Sequence, residues 1–584
     1  MYYPKLKKWR SSRVRTESFR GYEHRLRGRE GSFYEMRNLS GDQYPLLASR
    51  KPRGLLGTLT GPAGLLEKDV PCWVANGTLF INGLATSVTG LSAGEKQLVS
   101  MGAYVLIFPD KVYYNTADPT DTGSMEASYQ TLGTVTYTPC DAEGNPYTIG
   151  SAGAQEPGEP ENGEIWVDTS ESSAVYRQWS QADVMWTEIP TVYTKIGFTS
   201  RGQLPTLFRQ YDGVKISGSQ IEALNGEKIL YAVGGDANCD DYAVVIGLLE
   251  ESCTDERREL TIRRELPQMD YVCECQNRLW GCFFGNTNGE NLNEIYCSAL
   301  GDFRNFRQYL GLSTDSWTAS VGSDGPWTGA VNYLGSPCFF KENRIHRVTV
   351  SSQGAHRLEE TVCRGVQRGS HKSLCVVGET LLYKSRTDIC AWQGGFPQSV
   401  SEALGDVAYS GAAAGSFGEK YYISMKDGAD AWSLFVYDLE KGLWHREDGL
   451  HALCFARCGD SLYCIDAETG KLWDLLGAAG TAETSVDWMA ESGVQYTEYP
   501  DRKYLSRFDF KLQLERGGRM RAWLNYDSGE DWVPAGEIQG RGLTTLLLPV
   551  RPRRCDHMRL RLEGEGELRL FSVTRVLRKG SDRP

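Results

Sequence analysis

The sequence predicts an all-β protein: a β-propeller of about seven blades, interrupted by insertions, followed by a C-terminal β-sandwich. Three observations carry that prediction. First, short apolar strands joined by Gly, Asn or Asp turns recur along the chain. They run in VPCWVANGTLFING (70–83), KQLVSMGAYVLIFPDKVYYN (96–115), residues 271–299, SPCFFKENRIHRVTV (336–350), SLCVVGETLLYKSRTDICAWQ (373–393), 420–448 and 451–475. Repetition of such units is the pattern of blades that bury their faces against neighbours. Second, in RFDFKLQLE and MRLRLEG, within residues 482–584, every second residue is apolar. That alternation belongs to antiparallel strands with one buried face, stacked as a sandwich. Third, long helical periodicity is almost absent, while 64 Gly, 30 Tyr and 15 Trp supply turns and pleated, half-buried surface.

With 584 residues the chain exceeds one compact core, so several domains are expected. Residues 1–54 read as a basic N-terminal arm and an extended lead-in that ends in Pro and Gly. Residues 55–116 hold the first blades. Residues 117–195 break the run with a polar loop (DPTDTGSMEAS), a Pro/Gly/Glu stretch (AQEPGEPENGE) and the aromatic hairpins of EIWVDTSESSAVYRQWSQADVMWTEIP. They read as an inserted small β domain. Residues 196–268 read as an additional β segment. The remaining blades occupy 269–478, the clearest being YVCECQNRLWGCFFGNTNGENLNEIYCSALGDFRNF (271–306). Composition shifts at GAAGTAET, and 482–584 form the sandwich.

Charge is unevenly placed. The chain totals −12 and its first 30 residues carry +7, which leaves −19 for the rest. A basic arm on an acidic body points to docking on an acidic surface or on phosphate. Lys5, Lys7, Lys8, Arg10, Arg13, Arg15 and Arg20 are the candidate docking residues. The arm is expected to be dispensable for folding. No apolar run reaches the ~20 residues that span a bilayer, and MYYPKLKKWRSSRVR lacks the apolar core of a signal peptide. A soluble protein made in a cytoplasm is expected.

The search for chemistry returns little. Seven histidines are scattered, with no H-x-x-x-H, P-loop, nucleophile elbow or zincin motif. Sixteen cysteines include no C-x-x-C pair and sit mostly inside apolar strands, which reads as buried reduced thiols. DANCDD (Asp236–Asp241) lacks the spacing of a calcium loop and reads as a solvated turn. NYDSGEDW (Asn525–Trp532) approximates the Asp-box of sialidase-like propellers at Asp527, Gly529 and Trp532, but Asn525 and Asp531 depart from it. The Asp-box is a structural hairpin device. No cofactor, no metal and no enzymatic activity are expected.

EMRNLSGDQYPLLASRKPRG, the unit PQMDYVCECQNRLWG followed by IYCSALGDFRNF, and the closing YDSGEDW together resemble tail-nozzle and packaged-DNA stabilisation proteins of short-tailed bacteriophages and prophages. The resemblance runs through most of the chain in order, though not through 117–195. It implies a propeller-containing subunit of a hexameric ring in the virion, assembled in the host cytoplasm. Head–tail adaptor and portal proteins would lie above it, and a fibre, needle or plug protein below. Duplex DNA would pass through the lumen without sequence-specific binding. Two other readings stay open: a glycan-binding or sialidase-like propeller of the tailspike type, and a propeller scaffold for protein partners.

Overall fold

A computed structural model describes residues 11–170, 174–351, 354–496, 503–551 and 553–579. Strands dominate it, and the described residues include one four-residue α-helix, Leu204–Leu207. Six four-stranded sheets and one five-stranded sheet, whose last strand is the short edge Thr481–Ala482, are the blades of a β-propeller. Blade 1 is Pro62–Leu66, Cys72–Ala75, Thr78–Ile81 and Leu84–Ala85. Blade 2 is Gln97–Met101, Tyr104–Phe108, Val112–Asn115 and Thr122–Ser124; blade 3 is Tyr271–Glu274, Leu279–Thr287, Glu290–Cys297 and Trp317–Ser320. Blade 4 is Gly329–Tyr333, Ser336–Lys341, Arg344–Val350 and His356–Val362; blade 5 is Cys375–Val377, Thr380–Lys384, Ile389–Trp392 and Gln398–Ser399. Blade 6 is Ser410–Phe417, Lys420–Lys426, Trp432–Asp438 and Leu443–Arg446. Blade 7 takes Ala452–Cys458, Ser461–Asp466 and Lys471–Asp474 from late in the chain, and its fourth strand, Gly54–Thr58, from near the start. Each of the seven repeated sequence units falls in one blade.

Two compact units divide the chain. The first comprises residues 1–100, 326–347 and 359–584. Besides blades 1 and 5–7 and most of blade 4, it contains the sandwich. One sandwich sheet runs Leu39–Ser40, Leu47–Ser49, Leu568–Lys579, Lys503–Leu514, Gly542–Pro549. Ser11–Thr16 also pairs antiparallel with Leu568–Lys579, from Ser11 opposite Arg578 to Thr16 opposite Val573. The other sheet runs Gly21–Tyr22, Ser32–Arg37, Asp487–Ser492, Met558–Glu565, Arg519–Tyr526, Val533–Gln539. The alternation read in RFDFKLQLE is realised: Phe508, Phe510, Leu512 and Leu514 are buried, while Lys511 and Gln513 face outward. The sandwich core continues into blades 5 and 6 through Leu382, Tyr421, Phe435 and Trp444.

Residues 11–54 are therefore not an arm and lead-in apart from the sandwich, and residues 1–10 lie outside the described residues. The strands of residues 11–54 supply edges to both sandwich sheets. Phe19 and Tyr22, each 3% exposed, lie in its core, with Phe19 stacked on Phe33 and Tyr22 tilted on Phe435. A linear charge count sees the arginines of this segment but not the apolar residues between them that find partners near the other chain end.

The second unit comprises residues 101–325 and 348–358. It holds blade 3, most of blade 2 and one long insertion. Ala127–Gln130 pairs with Thr261–Arg264, and Val135–Cys140 pairs with both Tyr193–Phe198 and Cys253–Asp255. The expected division into 117–195 and 196–268 thus gives way to one domain from 127 to 264. Residues 117–124 belong to blade 2, and the strands on either side of 195 interleave. Periodicity locates strands but not distant partners, and here the ends of the insertion pair with each other. Its core packs Tyr137, Ile196, Phe198, Phe208 and Val214. A buried ion pair, Arg264 with Asp212 at 2.6 Å, fastens its base. The aromatic hairpins form a nested sheet, Ile149–Gly153, Ile165–Asp168, Val175–Ser180 and Met185–Glu188, where Trp186 packs edge-on against Trp166 and Trp179.

Candidate functional site

Charge follows the fold more sharply than it follows the sequence. Residues 1–54 and 482–584, whose described parts build the sandwich, hold 32 Lys/Arg against 21 Asp/Glu, a net of +11. The remainder carries −23. Of the candidate docking residues, Lys5, Lys7, Lys8 and Arg10 lie outside the described residues. Arg13 and Arg15 project from the edge strand Ser11–Thr16 and are exposed, as is Arg20. Arg15 is matched by Glu17 at 2.7 Å.

Beside them the structure brings forward three residues that were counted in the charge but not singled out. Arg25, Arg27 and Arg29 stand exposed on the loop joining Gly21–Tyr22 to Ser32–Arg37. Their alternating spacing, R-L-R-G-R, was the available signal. Buried Glu23 holds the loop in shape. It accepts from the Arg25 guanidinium at 2.5 Å and the Arg29 N–H at 3.0 Å, and Ser32 Oγ donates to the Arg29 carbonyl. Burial pushes the Glu23 carboxyl up, but those donors outweigh it and hold the group below the usual carboxylate range. Gly21, at φ +73°, lets the loop start against blade 6, because a Cβ there would collide with the Trp444 carbonyl oxygen.

His24 closes the loop's other side. Its Nδ1 lies 3.0 Å from the Tyr34 carbonyl and 3.1 Å from Glu35 Oε1. The Glu35 carboxylate, working against partial burial, raises the imidazole pKa above its ordinary 6.5. The resulting stabilisation is complete below pH 6.5 and fades as pH rises through the raised value. Denaturant midpoints should therefore fall modestly from pH 6 to pH 8, and His24→Gln should flatten that slope. An unchanged slope in the variant would remove His24 from the account.

Two recesses flank this region in the first unit. One, of about 460 Å³, is lined by Arg20, Arg25, Arg29 and Lys441, with Tyr44 and Tyr437 in its walls. The other, of about 710 Å³, lies among Ser40–Asp42, blade 6 and blade 7. Its charges are largely spent in pairs: Asp42 with Lys420, and Asp438 with Lys441 at 2.6 Å. Burial, then Lys420 and Lys441, push the enclosed His445 down to about 4, so it is neutral near pH 7. Glu419, Glu440 and Asp460 line the same recess and are exposed.

The remaining sequence motifs resolve into turns. Asp527 accepts from the N–H groups of Asp556 and His557, and Asn525 donates to the Gly529 and Asp531 carbonyls, so the Asp-box-like stretch ties a hairpin. In DANCDD, Asp236 accepts from the N–H groups of Asn238 and Cys239, and Asp241 accepts from those of Gly202 and Gln203. Among the described residues, no group of three or more His, Cys, Asp or Glu could hold a metal ion. No helix there is long and apolar enough to cross a membrane.

No family model and no curated protein matches the chain. Solved structures do. The chain is similar to the extracellular domain of a putative hybrid two-component system from B. thetaiotaomicron, at 9% identity and TM-score 0.24, over 92% of this chain and 98% of that one. It is similar to an exo-β-1,3-galactanase from Phanerochaete chrysosporium, at 8% identity and TM-score 0.21, over 52% and 94%. A Trypanosoma rangeli sialidase aligns at 9% identity and TM-score 0.19, over 90% and 95%. One expectation falls here. The sequence reading has the protein without enzymatic activity, yet its structural neighbours are prominently glycoside hydrolases, with a sialidase among them, and that expectation is withdrawn. At these TM-scores no substrate or activity carries over to this chain.

Proposed function

We propose that the protein is a structural subunit of a short-tailed bacteriophage tail, forming a ring below the portal and adaptor that retains packaged DNA and conducts it during ejection. The observation that carries this reading is the separation of charge along the fold: the two chain ends, whose described parts build the sandwich, carry +11, and the remainder carries −23. Phosphate contacts by Lys and Arg accumulate affinity steeply, so a conduit for sliding duplex is better lined with acidic surface. The sandwich is then the element that joins an acidic neighbour, with the salt dependence of charge-steered docking. The resemblance of the lead-in and of blade 3 to tail-nozzle proteins supports the same reading. To test it, full-length protein is mixed with adaptor-capped, DNA-filled heads and imaged in negative stain. A sixfold ring under the adaptor, weakened by high salt, is the expected result. A persistent monomer that turns over glycan would overturn it.

A second reading, a glycan-binding propeller, is favoured by one observation. The 710 Å³ recess presents the exposed carboxylates Glu419, Glu440 and Asp460 beside Phe417 and Tyr422. Carboxylates and ring faces are the groups that recognise and process sugars. Binding or cleavage of host-surface polysaccharide that disappears in Glu440→Gln would establish it. Equal behaviour of the variant would exclude this recess.

A further inference from the structure

The 460 Å³ groove of the first unit has a feature the charge count does not explain. Four cationic side chains converge on it, and Glu23 and Asp438 beside them are already committed. Glu23 is buried and engaged by Arg25 and by the Arg29 N–H, while Lys441 is matched by Asp438. Glu402 lines the groove as its remaining carboxylate. The guanidinium groups of Arg20 and Arg29 have no carboxylate partner among the described residues. The loop that presents Arg25 and Arg29 is held by Glu23, by the Ser32 hydroxyl and by the bond from the His24 N–H to the Ala403 carbonyl at 2.8 Å. The cations are thus presented on an ordered frame, with part of the ordering cost met in the free protein.

We infer that this groove binds an extended acidic polypeptide segment of a partner protein, with Arg20 and Arg29 pairing its carboxylates. The inference rests on the docking role proposed for the sandwich and gives that role an address. Charge complementarity selects an acidic ligand, and the guanidinium fork suits carboxylates in particular. The groove's shape and setting select protein over nucleic acid. A duplex needs a continuous basic face that meets many phosphates. Here the cations face one recess walled by Tyr44 and Tyr437, and the chain outside residues 1–54 and 482–584 carries a net −23. Aromatic walls beside guanidinium groups also favour a peptide, whose apolar side chains can lie against them.

The test is fluorescence anisotropy with full-length protein and three probes of matched length: a labelled Asp/Glu-rich peptide, its Asn/Gln counterpart and a short DNA duplex. The acidic peptide should bind, weaken with salt, and lose at least tenfold in affinity in Arg20→Glu/Arg29→Glu. Both side chains are exposed, so the variant should keep the wild-type denaturation midpoint. Reversing Glu402 (Glu402→Lys) should tighten binding. Equal binding of the Asn/Gln peptide, or an acidic-peptide affinity indifferent to the arginines, would overturn the inference. Tighter binding of the duplex with the same arginine dependence would make the groove a phosphate site and overturn it equally. Ring assembly on phage heads is read separately. An arginine variant that loses the peptide but still assembles normally sinks the groove as the docking address of the ring, and peptide binding without assembly sinks the tail role alone.

Discussion

Deleting residues 2–30 is expected to unfold the sandwich, not merely to remove a docking appendage. The deletion strips Ser11–Thr16 from the edge of Leu568–Lys579 and Gly21–Tyr22 from the other sheet. It empties the core positions of Phe19 and Tyr22, and it leaves Arg575, 3% exposed at its side chain, without the Glu30 carboxylate at 2.8 Å. Phe19→Ala alone should cost about 3–5 kcal/mol, because a ring's worth of packing is lost and the surrounding strands close only partly over the cavity. The full deletion removes several such contacts at once, so soluble, native-like protein is not expected from it. Urea titration of the wild type, Phe19→Ala and the deletion makes the comparison. A soluble, cooperatively folded 2–30 deletion with a native midpoint would show that the segment is the separable arm the charge pattern alone suggests.

Arg53→Met is expected to be the most damaging single substitution of a charged residue. Arg53 is 2% exposed and lies just before Gly54–Thr58, the strand from early in the chain that completes blade 7. Its guanidinium meets Glu447 at 2.7 Å and Asp448 at 2.8 and 3.0 Å, while Arg50 bonds Asn38 at 2.8 Å and Glu483 at 2.6 Å. The group links the strand that closes blade 7 to the end of blade 6. Burial opposes the Arg53 charge, but Asp448 and Glu447 outweigh it and keep the guanidinium protonated. Removing Arg53 leaves Glu447 and Asp448, both largely buried, with only the longer contacts to Arg50 at 3.8 Å, a loss of about 3–5 kcal/mol. Arg53→Met combined with Glu447→Leu should recover part of that loss, since a buried pair replaced as a pair avoids the stranded charge. Strict additivity of the two substitutions would refute the coupling. The same network sets an acid limit. Burial raises the Asp448 pKa, but Arg53 and Arg50 outweigh it and depress the group below its usual 3.8. Its stabilisation is therefore present above pH 3.8 and is lost as pH falls through the depressed value. Acid unfolding should begin at higher pH in Arg53→Met.

Much of the fold was legible because it is written locally. A blade hairpin needs two short apolar strands and a turn residue, all within about 20 residues, and Ala75–Asn76–Gly77–Thr78 or Val377–Gly378–Glu379–Thr380 announces itself. One-face burial in RFDFKLQLE is equally local, since a period of two survives whatever the strand pairs with. The sequence by itself thus determined the all-β class, the seven repeated units and the alternating strands of the sandwich. Only the tertiary structure decided which distant segments share a sheet: 11–54 with 487–579, Gly54–Thr58 with blade 7, and 127–130 with 261–264. It also brought the described parts of the two chain ends, which together carry +11, into one sandwich, and it set Arg20 and Arg29 into one groove with Lys441, hundreds of residues away. The physical reason is the same in each case. Hydrogen-bonded edges and unpaired charges are satisfied by whatever folding brings near, and periodicity along a chain carries no record of a partner several hundred residues off.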